Sequence, residues 1–127
     1  MPMKNTVRQW LEQSEYDFET AAAMLKTDRF LYVAFMCQQS IEKHLKALIC
    51  EKTEKMPPYI HNLTTLAEHL GLALDDDQLD FLDLLSRHYL NARYPVVKQA
   101  LSKNLDKKTC INILDKTENF LKWLVKK

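Results

Sequence analysis

The chain has 127 residues, a net charge of +1 and a single glycine, Gly71, in a background rich in Leu, Lys, Glu and Ala. Sheets joined by tight turns need glycine at positive φ, so this composition excludes a β-rich fold and predicts an all-α protein with one core. The charge is unevenly spread: residues 1–55 balance eight basic against eight acidic groups, residues 56–86 carry six acidic groups and no Lys or Arg, and residues 87–127 carry ten basic and three acidic.

A basic last third suits an anionic ligand or nucleic acid, and equally a dipolar surface for self-association. Cys37, Cys50 and Cys110 are widely spaced and form no C-x-x-C pair, which argues against a disulfide framework or a zinc site and for a reducing compartment. The start lacks a signal-peptide pattern and no window approaches 18 apolar residues, so the expectation is a soluble, cytoplasmic protein that does not enter a membrane.

In chain order, a first helix is expected from Asn5 or Thr6, a plausible N-cap, to about Thr27. Val7, Trp10, Leu11, Ser14, Phe18, Ala21, Ala22 and Leu25 give it one apolar stripe. A second helix follows Asp28 almost directly and runs to about Glu54, an arrangement that favours antiparallel neighbours. Phe30, Val33, Cys37, Ser40, Ile41, His44 and Leu48 share one face of it, while Tyr32, Phe35, Ile49 and Cys50 point elsewhere, among Gln39, Lys43 and Lys46. A helix apolar on several sides is buried on several sides, and a second subunit is one way to supply that burial.

The stretch "KMPPYIHN" breaks the second helix. Asn62 then caps a short helix that buries Leu63, Leu66, Ala67 and Leu70 and is closed by Gly71. Asp75, Asp76 and Asp77 stand at the positive end of a fourth helix that reaches Arg93 and buries Phe81, Leu82, Leu85, Tyr89 and Ala92. After a looser basic stretch, Asp106 caps a last helix lined by Cys110, Ile113, Leu114, Thr117, Phe120, Leu121 and Leu124. The fold class is an all-α up-and-down bundle of four long helices and one short one, spanning residues 1–127 as a single domain.

Recognised chemistries find little purchase here. The four histidines show no H-x-x-H, H-x-x-x-H or E-x-x-H pair, so no metal is assigned, and His44 reads as a core histidine. No P-loop, dinucleotide fingerprint or G-x-S-x-G can exist in a chain with one glycine, so no cofactor and no catalytic residue are assigned. Two places remain. Gln39, Lys43 and Lys46 project from one side of the second helix, either as a solvated face with local ion pairs or as donors for an anion such as phosphate. In "HYLNARYPVV", Tyr94 precedes Pro95, which ends the helix, and Tyr89 and Arg93 are i, i+4 neighbours. There Arg93 either ties up the carbonyls of its own helix end or offers its fork to a phosphate, with tyrosine stacking on a base.

Taken together, "FMCQQSIEKHLKALI", "IHNL" after the proline break and "YLNARYP" at the end of a later helix resemble the HEPN family, the higher eukaryotes and prokaryotes nucleotide-binding domain. The resemblance spans about residues 8 to 125 and places Gln39, Glu42, Lys43, Lys46, His61, Leu63, Arg93, Tyr94 and Pro95 at matching positions. It implies a dimeric bundle that handles nucleotides or nucleic acids. It also implies a separately encoded minimal nucleotidyltransferase as partner, in a pair compared with toxin–antitoxin systems. Ribonuclease members carry an arginine followed by a histidine after four to six residues. None of Arg8, Arg29, Arg87 or Arg93 has a histidine at that spacing, and His88 lies upstream of Arg93, about 140° away around a helix. The expectation is therefore a non-catalytic binding module with Gln39, Lys43, Lys46, His61, Tyr89, Arg93 and Tyr94 as candidate ligand contacts. A ribonuclease pairing Arg93 with a histidine such as His61, and a helical interaction protein without a ligand, are the alternatives.

Overall fold

The computed structural model describes residues 2–92 and 105–127. Among these, five helices form and no strand does: α1 Pro2–Lys26, α2 Phe30–Thr53, α3 Leu63–His69, α4 Asp76–Asn91 and α5 Lys107–Val125. The all-α bundle of four long helices and one short one is thus present.

Each boundary has a local cause. Helix α1 begins at Pro2, earlier than Asn5 or Thr6, because proline is tolerated in a first turn whose N–H groups have no helical partner. Asn5 lies inside the helix and accepts from Arg8 instead of capping. The turn into α2 places Asp28 at φ 59°, and the Arg29 N–H returns to the Met24 carbonyl at 2.9 Å. Helix α2 closes through Glu54, also left-handed at φ 56°, whose N–H reaches Cys50. Asn62 accepts from the Thr65 N–H at 2.9 Å and starts α3. Gly71 ends it at φ 65°, with its own N–H on Glu68 and that of Leu72 on Ala67. Asp75 and Gln78 exchange hydrogen bonds in a capping box before α4, and Asp106 caps α5 through the Thr109 N–H.

Helix α2 is the axis of the molecule. It packs against α1, α3, α4 and α5, and no residue of its 33–50 stretch is exposed. Among the described residues, the other helices of the same chain supply much of the cover on its several sides. Ile41, Leu45, Leu63, Leu66, Leu82, Leu85, Ile113 and Leu124 are fully enclosed in the shared core. Each such side chain contributes about 1.5–3 kcal/mol by leaving water.

Helices α1 and α2 run antiparallel, with Met3 near Cys50, Trp10 near Lys46 and Ser14 against Ser40. The two serines are buried and exchange hydrogen bonds: each hydroxyl donates to the other's carbonyl at 2.7 Å. This pair holds α1 close enough to α2 for the polar contacts described next.

Candidate functional site

Gln38, Gln39, Glu42, Lys43 and Lys46 of α2 are paired within the molecule. They form one hydrogen-bonded chain that starts on α1 and ends on the loop before α3. Gln13 donates to Asp17, whose other oxygen accepts from Lys43 Nζ at 2.7 Å. Lys43 also reaches Gln39 Oε1, and Gln39 donates to Gln38 Oε1 at 2.8 Å. Gln38, fully buried, donates to Glu42 Oε1 and to the His61 carbonyl, both at 3.0 Å. Glu42 then accepts from Lys46 Nζ at 3.0 Å and meets His61 Nδ1 at 3.0 and 3.2 Å.

Helical spacing builds this chain. Gln38, Glu42 and Lys46 follow at four-residue steps along one line of α2, and Gln39 and Lys43 follow along the next. His61 arrives because the proline break turns the backbone back towards α2, where the amide of Gln38 holds the His61 carbonyl. The side chains of Glu42 and Lys46 are only 4% and 6% exposed, and that of Asp17 5%. Charges so buried persist only when paired and hydrogen-bonded, and each of these is.

A carboxylate can contact the imidazole only through a proton on Nδ1. Glu42 therefore fixes the ring so that Nε2 faces away, and His61 is 35% exposed. Among the described residues Nε2 has no hydrogen-bond partner. It can accept as a neutral imidazole or donate as an imidazolium. Two aromatic rings meet the imidazole, Tyr59 edge-on and Tyr89 at a tilt, each with centroids 5.4 Å away, and Phe35 stacks on Tyr89. Tyr59 is 94% exposed. The Lys46 ammonium lies 5.8 Å from the Trp10 ring and 5.9 Å from that of Tyr59.

Of the residues singled out in the sequence, Gln39, Lys43, Lys46, His61 and Tyr89 are brought together here. Arg93, Tyr94 and Pro95 lie outside the described residues. Gln38, Glu42 and Asp17 join the network as its connectors, and Trp10 and Tyr59 flank it. Trp10 reads in sequence as one more member of an apolar stripe, and Tyr59 as part of a helix break. No spacing rule marks either.

The other histidines have different settings. His44 is buried on α2, where desolvation lowers its pKa and keeps it neutral. His88 on α4 is also buried, with a pKa lowered by desolvation and then by the Arg87 charge, and among the described residues its Nδ1 has no hydrogen-bond partner. Among the described residues no group of three His, Cys, Asp or Glu side chains is placed to hold a metal ion, and no helix is long and apolar enough to cross a membrane.

A helical bundle wrapped on one polar-striped helix, with a histidine carried to that stripe after a proline break, defines a recognisable class. The chain belongs to the HEPN domain family, whose model matches residues 7–127. Its fold is similar to that of TT1696 from Thermus thermophilus, known from a crystal structure. The TM-score is 0.80 over 96% of this chain and 98% of that one, at 22% identity, which makes the likeness one of fold. No curated protein matches the chain.

Proposed function

We propose that this HEPN chain is a nucleotide- or nucleic-acid-binding module. On this reading it folds as one domain, pairs as a homodimer and works in the cytoplasm with a separately encoded minimal nucleotidyltransferase, as in toxin–antitoxin pairs. The observation that carries the binding role is His61. Glu42 holds its ring through Nδ1, the side chain is 35% exposed, and an exposed aromatic ring stands beside it. With the Nδ1 proton on Glu42, Nε2 accepts from a base N–H or a ribose O–H, and a base stacks on a ring of that kind.

Lys43 and Lys46 then serve the site from behind. Each is held by an internal carboxylate, so they position His61 and neutralise Asp17 and Glu42 rather than reach the ligand. The test is thermal stabilisation by ATP, ADP and AMP at millimolar concentration, which follows from binding to the native state alone. A ligand at a hundred times its Kd stabilises by about 2.7 kcal/mol. His61→Ala abolishes that gain on this reading, and a wild-type protein indifferent to all three nucleotides contradicts it. Sedimentation as a monomer contradicts the dimer.

The same geometry favours one catalytic alternative. A histidine with Nδ1–H on a carboxylate is the usual arrangement of a general base, and Tyr89, in contact with His61, precedes Arg93 by four residues in sequence. A ribonuclease of this kind degrades RNA without metal and loses activity in both Arg93→Ala and His61→Ala. If wild-type protein leaves varied RNAs intact, the binding reading stands alone.

A further inference from the structure

We infer that the groove between α4 and α5 is a docking site for a basic, arginine-bearing segment of a partner protein. The groove encloses about 650 Å³ and shares no lining residue with the polar stripe of α2, so this docking role does not rest on the binding reading above. Its floor is apolar: Phe81 and Phe120 are buried, while Leu84 and Trp123 are half-buried and keep part of their surface open. Its edge is acidic, with Asp75, Asp77 and Asp80 all exposed. Lys116 is the one basic residue among the described lining residues, so three carboxylates face a single ammonium.

Helix formation does not account for all of that acid. Asp75 caps α4, and Asp77 sits in its first turn, where the helix dipole favours negative charge. Asp80 lies beyond the first turn, where that effect has faded. Among the described residues neither Asp77 nor Asp80 makes an ion pair. Their three-residue spacing puts both on one face of α4, and residues 56–86 hold six acidic groups and no Lys or Arg. The edge therefore offers a negative field to a basic partner. Trp123 shows what the floor accepts, because the Lys127 ammonium stands 4.4 Å from the centre of its ring.

A long cationic side chain matches both parts at once. Its methylene stem covers the rings while its charged head reaches the carboxylates. Arginine does this better than lysine, since a planar guanidinium stacks on an indole and offers a fork to a carboxylate. An apolar neighbour in the same segment fills the space over Phe81 and Leu84, giving the apolar centre and polar rim of a protein interface. A simple amine lacks that second anchor, and an acidic segment meets the aspartates with like charge.

The probe is a fluorescein-labelled octapeptide of alternating arginine and leucine, titrated with the full chain and followed by anisotropy at about 50 and about 300 mM salt. Matched peptides carry lysine or glutamate in place of arginine. In a Trp10→Phe background Trp123 is the remaining tryptophan, and its fluorescence locates the contact. The arginine peptide is expected to bind, to weaken with salt and to change Trp123 emission. Asp77→Asn with Asp80→Asn is expected to weaken it about fivefold, in keeping with two exposed ion pairs, and the exposure of both residues spares the fold. The lysine peptide binds severalfold more weakly, and the glutamate peptide does not bind. A lysine peptide equal to the arginine one, an unchanged Trp123 signal, or a double variant equal to wild type each overturns the inference. Argininamide binding as tightly as the octapeptide makes the occupant a small cation. Self-association lost in the double variant makes it a second copy of this chain. Either result overturns the assignment to a partner protein.

Discussion

On the side of α2 that meets α5, Cys37 lies beside Thr117 and Cys110, and the Cys110 thiol points to the Phe30 carbonyl. Burial pushes the Cys37 thiol up to about 12 and that of Cys110 to about 11, so both remain protonated. Thr117 returns its hydroxyl to the Ile113 carbonyl of its own helix. On the side that meets α1 and the His61 loop, by contrast, four charged groups and three glutamines are tied into one chain. The first side is apolar with its few polar atoms satisfied locally, and substitution there is governed by volume. The second is governed by pairing, because removing one member leaves its partner charged and out of water.

Experiments can break this contrast, beginning with the strongest. Glu42→Ala strands Lys46 and is expected to cost about 3–5 kcal/mol in urea denaturation. The double replacement Glu42→Leu with Lys46→Met removes both charges and is expected to recover much of that loss. A double variant as unstable as the single would show that pairing is not what matters there. Asp17→Ala is expected to cost less, about 2 kcal/mol, since Lys43 is 18% exposed and can turn towards water.

On the apolar side, Ile113→Val is expected to cost about 1 kcal/mol and to leave nucleotide-induced stabilisation unchanged, as seen by paired melts with and without ligand. The smallest effect is with pH. His44 and His88 have folded pKa values below the ordinary 6.5, so below that pH the unfolded chain binds more protons than the folded one. Stability is therefore complete above about pH 6.5 and declines as pH falls towards the folded values. Melting temperatures between pH 8 and 5 should show the decline, and His88→Gln should make it shallower.

The same contrast explains what could be read from sequence. Asn62, Gly71, Asp75 and Asp106 act where their residue types suggest, because capping is a local property of three or four neighbours. The apolar faces of α2 and α5 follow from periodicity alone. The start of α1 did not, since Pro2 can open a helix as readily as Asn5 or Thr6 can cap one. The state of the α2 lysines was also out of reach: Lys43 pairs with a carboxylate 26 residues earlier, and nothing in the spacing links them. Lys46 pairs within its own helix, yet only the tertiary burial of Glu42 turns that ordinary i, i+4 pair into an internal one. Tyr59 matters through exposure, which no local pattern encodes.

The crossed hydroxyls of Ser14 and Ser40 bear on how this chain tolerates change. They peg two long helices against sliding, since moving α1 by one turn shifts it about 5.4 Å and breaks both bonds at once. Asp17 and Trp10 stand one turn on either side of that peg, and they meet Lys43 and Lys46 respectively. A one-residue insertion in α1 before Ser14 would leave Asp17 on Lys43 and rotate Trp10 away by about 100°, separating the ring from the charge chain without unfolding it. Two serines with no chemistry of their own thus set the phase between the outer surface of the site and its interior.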